Sequence, residues 1–193
     1  GLGPAIAKRI VKEFGTEALD ILDNDYMRLT SVKGISADKA LYMANEYKKI
    51  TGVNEVIKFL GEYNLSPSYA IGVWARYEYD SVKRIKQNPY VLCSQGIEVD
   101  FTQADRIAAD LGFDAENSDR VCAGIIYVLR ENSYAGHTCL PKEKLRESVC
   151  SNLGVEPRKC NQCLKDSLDN EWIVSVTIAG KEFIYLPEYY EAE

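Results

Sequence analysis

A seven-residue template occurs four times in this chain and limits its possible folds more than any other feature. The template is small–apolar–small–x–x–x–Ala, and its copies begin at residues 1, 34, 64 and 98. In order they read GLGPAIA, GISADKA, NLSPSYA and, less regularly, EVDFTQA. Each copy predicts a tight turn that needs positive φ at its first residue, followed by an apolar anchor, a small polar cap and a helix. A repeat of this kind predicts tandem helical hairpins.

Two pairs of these hairpins account for residues 1–113, which we divide into modules 1–52 and 53–113. Apolar periodicity predicts helices over 4–14, about 17–23 and 37–51, with Gly52 ending the last of them. In the second module, Ser66 is expected to cap a helix whose first position is Pro67. The polar segment 114–119 predicts the boundary to a third module, 114–193.

The third module has a different pattern, in which helices are followed by strands. Helices are predicted over 119–135, 142–152 and 157–169, with a short extended piece at 137–141. Two β-rich runs, 172–178 and 182–186, are joined across Ala179-Gly180-Lys181 as a hairpin. This order is typical of a winged helix-turn-helix. The predicted fold class is therefore mainly α, with a small winged-helix (α+β) module at the end.

Composition is that of an ordinary soluble globular chain without bulk positive charge. The formal net charge is −6 and the pI is about 5.0, which disfavours a protein that binds nucleic acid through a basic surface. No apolar run approaches the roughly 20 residues that cross a bilayer, and no secretory signal is seen, so no membrane partner is expected. The chain begins inside a template copy, which suggests a fragment of a longer protein.

The template resembles the helix-hairpin-helix DNA-binding motif. In that motif the helix after the turn directs unsatisfied amides and its positive dipole end at a backbone phosphate, so binding is independent of base sequence. The residues predicted to bind DNA phosphates belong to the first three copies and their flanks: Gly1, Gly3, Lys8, Arg9, Lys33, Gly34, Ser36, Lys39 and Ser66. The alternative is that the hairpins only pack against one another in a pseudo-symmetric domain.

The fourth copy has acidic residues where the others are small. Glu98 and Asp100 place carboxylates at its mouth, where they would repel a phosphate, so we expect this copy to be structural. The helix that follows begins near Thr102, and Thr102-x-x-Asp105 has the spacing of a capping box.

The third helix of the winged module has two possible roles. Arg158, Lys159 and Lys165 would suit a groove of DNA. However, residues 114–193 carry 9 basic and 14 acidic side chains, and this excess of acid favours contact with a protein.

No pattern in the sequence indicates catalysis or metal binding. The six cysteines are interpreted as reduced, mostly buried thiols of a cytoplasmic protein, and Cys160-x-x-Cys163 lacks the second pair that a zinc site needs. His137, the only histidine, is expected to cap or pack at a strand start. Since no G-x-x-x-x-G-K-[ST] motif occurs, we expect no ATP site, cofactor or enzymatic activity in this chain.

Five motifs, in order along nearly the whole chain, together resemble the N-terminal region of long RecD-like helicases, the RecD/TraA or exodeoxyribonuclease V alpha subunit family. They are GLGPAIAKRI (1–10), VKGIS (32–36), NPYVL (88–92), FTQADRIA (101–108) and GHTCLP (136–141). The resemblance implies an accessory region of an ATP-dependent 5′ to 3′ DNA helicase in DNA repair or recombination. ATP and Mg would belong to the motor domains in cis, and the implied partner is single-stranded or forked DNA.

A second function is left open by the residues themselves. In it the chain is a protein-docking adaptor whose hairpins are purely structural, with a protein partner bound through the winged module.

Overall fold

The computed structural model describes residues 3–191, which form two compact units that divide between Val82 and Lys83. The first unit contains α1 (Pro4–Phe14), α2 (Ala18–Asn24), α3 (Ala37–Glu62) and α4 (Ser68–Tyr77). These helices are joined by 3₁₀ segments at Gly15–Glu17, Tyr26–Ser31 and Glu78–Asp80. The next helix, α5 (Ser81–Gln87), contains the division between the units.

The predicted template geometry is present in the three copies that the structure describes in full. Their first residues all have positive φ: Gly34 at 92°, Asn64 at 57° and Glu98 at 62°. Their anchors and alanines are buried, namely Ile35, Leu65, Val99, Ala40, Ala70 and Ala104. Each copy therefore makes the turn with backbone and pins it to the core with one apolar side chain.

Helix α3 corrects the prediction that Gly52 ends a helix. It runs unbroken from Ala37 to Glu62, and Gly52 lies in its middle, buried. A Cβ at Gly52 would lie only 2.0 Å from Cζ3 of Trp74, whose indole packs against this part of α3. The glycine therefore serves close packing between α3 and α4, and it does not terminate the helix.

The start of α4 is also shifted from its predicted position. The helix begins at Ser68 with Pro67 as its N-cap, one residue later than predicted. The first turn is tight, since the amides of Tyr69 and Ala70 donate to carbonyls three residues earlier.

The second unit is α-helical and ends in a small sheet. A 3₁₀ segment (Pro89–Cys93) precedes α6 (Phe101–Asp110), α7 (Ser118–Tyr134), β1 (Cys139–Pro141), α8 (Lys142–Leu153) and α9 (Pro157–Asp169). Strands β2 (Val174–Ile178) and β3 (Lys181–Tyr185) and helix α10 (Pro187–Tyr190) complete it. The sheet is antiparallel in the order β1-β3-β2, with Val174 opposite Tyr185 and Ile178 opposite Lys181. The fold class is thus mainly α with a small α+β module, as predicted.

Hydrophobic packing in the second unit is continuous across the predicted boundary at 113/114. Phe101, Ala104 and Ala108 of α6 share one core with Val121 of α7 and Ile184 of β3. The fourth hairpin therefore belongs to the same compact unit as the C-terminal module. The compact units differ from the three predicted modules because α3 runs through 52/53 and this core runs through 113/114.

Within residues 3–191, no helix combines the length and the apolar character that a bilayer crossing requires.

Candidate nucleic-acid interface

The hairpin at residue 34 exposes the two positions that the motif directs at a phosphate. Gly34 and Ser36 are exposed, whereas Ile35 between them is buried in a core that also contains Ile10, Leu29 and Met43. The turn therefore faces solvent while its anchor faces inward.

Unsatisfied amides are present where α3 begins. The Lys39 amide donates to Ser36 Oγ at 3.3 Å, which makes Ser36 the N-cap. In the described part of the chain, the amides of Ala37 and Asp38 donate to no protein acceptor. They lie at the positive end of a 26-residue helix, where a bound anion is stabilised. The carboxylate of Asp38, also in the first turn, opposes this attraction.

Arg9, from the helix that follows the first template copy, contacts the turn of the second copy at Lys33 and Gly34. Its Nη1 donates to the carbonyl of Lys33 at 2.8 Å, and a Cβ on Gly34 would lie 3.4 Å from the same nitrogen. Predicted site residues from two copies therefore meet at one turn, with Lys33 exposed beside it. No pattern in the sequence indicated this contact, because Arg9 and Lys33 are 24 positions apart.

The first copy itself is only partly described. Gly3 is the exposed N-cap of α1, with Pro4 at the first helical position, and Lys8 is exposed on the same helix. Gly1, which was predicted to contribute to the phosphate site, lies outside the described residues.

The third copy uses its hydroxyl internally. Ser66 Oγ accepts from the Ser68 amide at 3.3 Å and lies 2.8 Å from Ser68 Oγ. Because Pro67 is the N-cap of α4 and no side chain caps this helix, the prediction that Ser66 is the cap is wrong; Ser66 lies one residue earlier and bonds within the turn. The hydroxyl is exposed but already engaged.

In the fourth copy an acidic side chain occupies the helix start. The Asp100 carboxylate accepts from the Thr102 amide at 2.8 Å and also from the Thr102 hydroxyl. The carboxylate of this copy therefore already accepts from an amide at the helix start, where a phosphate would have to bind. This arrangement corrects the capping-box prediction, because Asp100 is the cap and Asp105 takes no part in it.

Asp105 instead joins an interaction that the sequence analysis missed. Its carboxylate accepts from Arg120 Nε at 2.8 Å and Nη2 at 3.1 Å, and from the Tyr90 hydroxyl at 2.6 Å. Arg120 also donates to the carbonyls of Ala115 and Leu153. Desolvation raises the pKa of Asp105, but the hydrogen bonds from Arg120 and Tyr90 outweigh it and hold that pKa below its usual value.

The helix predicted to enter DNA or contact a protein in the C-terminal module is α9. Lys159 Nζ donates to Ser118 Oγ at 2.7 Å, so its ammonium group is tied to α7, whereas Arg158 and Lys165 are exposed. His137, expected to pack or cap, is exposed.

The thiols of the CxxC pair are core groups. Cys160 and Cys163 are buried, and burial raises the pKa of Cys160 to about 12, so this thiol stays protonated. Among the described residues, no group of three or more His, Cys, Asp or Glu side chains is placed to hold a metal ion.

Comparison with known proteins shows similarity of two kinds. Residues 49–139 match the model of the helix-hairpin-helix domain of ATP-dependent RecD2 DNA helicases, and this segment holds the template copies at 64 and 98. The whole chain is also similar to the ATP-dependent RecD2 DNA helicase of Deinococcus radiodurans, at 24% identity over 204 aligned residues. The chain spans 28% of that relative's length. These two similarities, one to a domain and one along the full chain, confirm the resemblance to RecD-like helicases that the five sequence motifs indicated.

Proposed function

We propose that this chain is the DNA-binding accessory region of an ATP-dependent 5′ to 3′ DNA helicase acting in DNA repair or recombination. Its own residues would hold a backbone phosphate, while ATP and Mg would be held by motor domains in cis. The observation that carries the proposal is the exposed turn at residue 34. It has free amides at the start of α3, the exposed Lys33, and Arg9 bonded to the Lys33 carbonyl. The match to a helicase helix-hairpin-helix domain supports the same function.

The physical basis is local electrostatics. A chain of net charge −6 gains little from its overall field, so affinity has to come from a few donors aimed at one phosphate. Amides at a helix start and the Lys33 and Lys39 side chains supply such donors without a basic surface. These contacts do not depend on base identity, so the expected ligand is single-stranded or forked DNA of any sequence.

Two variants with the same charge change test the site. Ser36→Glu/Lys39→Glu adds three negative charges at the α3 start, and Asn54→Glu/Lys58→Glu adds three on the exposed middle of the same helix. Binding to a fluorescein-labelled forked duplex is measured by anisotropy at low salt. We expect at least about a tenfold loss for the first variant and a much smaller loss for the second, because only the first places charge at the phosphate.

Salt dependence supplies the second measurement. If Lys33 and Lys39 neutralise one or two phosphates, log K should fall with log salt at a slope of about −0.7 to −1.8. Equal losses in the two variants would assign binding to net charge alone. Absence of DNA binding at low salt would favour the protein-docking adaptor.

A further inference from the structure

A groove lies between α7 and α8 in the second unit, and the residues that line it lie outside the template copies. It measures about 500 Å³, and its walls are formed by the following residues: Tyr127, Val128, Glu131, Asn132, Glu147, Ser148, Ser151 and Asn152. The two charged members are both acidic and lie on opposite walls, Glu131 on α7 and Glu147 on α8. The groove therefore presents carboxylates, amides and hydroxyls around one aromatic ring.

The Tyr127 ring is held in place by two other aromatic rings. Phe101 stacks on Tyr127 with ring centroids 5.1 Å apart and planes at 20°, and Tyr90 stacks on Phe101 at 5.8 Å and 23°. Tyr90 and Phe101 are buried, so Tyr127 is the partly exposed end of a fixed aromatic column. Little side-chain entropy remains to be lost when a ligand packs against it.

The two carboxylates lack a counter-charge among residues 3–191. Among the described residues, Glu131 and Glu147 have no ion-pair partner, although the neighbouring Glu143 pairs with Arg146. No basic side chain lines the groove, and residues 114–193 as a whole carry 14 acidic against 9 basic side chains. A nucleic-acid phosphate would be repelled here, whereas a cation would be attracted.

We propose that this groove binds an arginine side chain presented by a basic segment of a partner protein. A guanidinium group is planar, stacks on aromatic rings, and carries five donors for the carboxylates, amide carbonyls and hydroxyls around it. A lysine ammonium would satisfy fewer of these acceptors. The proposal is independent of DNA binding by the turn at residue 34, which belongs to the other compact unit.

The probe is the blocked peptide acetyl-Gly-Arg-Gly-Arg-Gly-amide, titrated into the ¹⁵N-labelled chain and followed by amide chemical shifts. Its partner probe replaces both arginines with citrulline, which keeps the shape of the side chain and removes the charge. We expect shifts in the groove residues with the arginine peptide only.

Three variants locate the site. Glu131→Gln/Glu147→Gln should weaken binding at least about fivefold, and Tyr127→Leu about threefold, since the leucine variant loses an exposed cation–π contact. Glu116→Gln/Glu188→Gln, which neutralises two exposed carboxylates elsewhere in the same unit, should leave the affinity unchanged. Far-UV circular dichroism of each variant verifies that the helices are intact.

Several outcomes would overturn the proposal. They are equal affinity for the citrulline peptide, equal losses in the two double glutamine variants, or shifts outside the groove that exceed those within it. Tighter binding of the corresponding lysine peptide would overturn the choice of arginine.

Discussion

Substitution of Gly52 tests how α3 and α4 pack in the first unit. A Cβ at this position would lie 2.0, 2.1 and 2.9 Å from three atoms of the Trp74 indole, which is only 8% exposed. Gly52→Ala gains about 1 kcal/mol from helix propensity. The added carbon can be accommodated in one of two ways, each of which opposes this gain. Repacking around it costs about 1–3 kcal/mol, whereas expelling the indole ring from its site would cost about 3–5 kcal/mol. We expect a net loss of about 2 kcal/mol.

The matched control is Gly61→Ala in the last turn of the same helix. A Cβ at Gly61 meets nothing within 4 Å, so the gain in propensity is not opposed, and we expect stabilisation of up to about 1 kcal/mol. Urea unfolding is followed by tryptophan fluorescence in a Trp172→Phe background, so that Trp74 reports on the first unit. If Gly52→Ala proved as stable as Gly61→Ala, the close contact with Trp74 would be refuted.

Two further predictions concern the second unit. Glu98 has a φ of 62°, a left-handed conformation that costs a residue with a Cβ about 1–2 kcal/mol. Glu98→Gly removes that cost but adds an entropy cost of about 0.5–1 kcal/mol, so it should raise the free energy of unfolding by about 0.5–1 kcal/mol. Glu98→Ala removes the charge but keeps the Cβ, so chemical denaturation should show no such gain. Asp105→Asn should lower the stability at pH 7 by about 2 kcal/mol, since Arg120 and Tyr90 lose a charged acceptor. Because the folded-state pKa of Asp105 is depressed, its contribution is present above the usual pKa near 3.9 and is lost as pH falls through the lower folded value. Urea curves at pH 7 and pH 3 should therefore show a smaller difference between wild type and variant at the lower pH, and a constant difference would contradict the assignment.

The hairpins could be predicted because their requirements are local. A residue that tolerates positive φ, an apolar anchor one position later and a cap after that all lie within three positions. The structure has the turn and the anchor at Gly34, Asn64 and Glu98, and the cap at Ser36 and Asp100. Helices α1 and α9 likewise begin at a proline, and they begin where the sequence predicts. The element order of the C-terminal module follows from similarly local signals.

Features that depend on distant partners could not be predicted. Gly52 carries the ordinary signal of a helix end, and only Trp74, 22 positions later, shows why a glycine is needed inside a helix. Asp105 has capping-box spacing, but its partner Arg120 is 15 positions away and offers it a stronger bond. The contact of Arg9 with the turn at Gly34 is of the same kind, since the two residues are 25 positions apart. In each case the local pattern was ambiguous and a tertiary contact decided the outcome.

The copies at 34 and 98 show that folding and binding use different positions of the template. The buried anchors Ile35 and Val99 and the buried alanines are equivalent in both copies, and both turns have positive φ, so both hairpins form. Their helix starts differ in charge. Each cap accepts from one amide of the following helix, but Ser36 does so with a neutral hydroxyl and Asp100 with a carboxylate that repels a phosphate. A repeat can therefore keep its structural role while losing affinity for an anion. On the proposed function, this separation explains how an acidic chain holds several hairpins and still directs DNA to one turn.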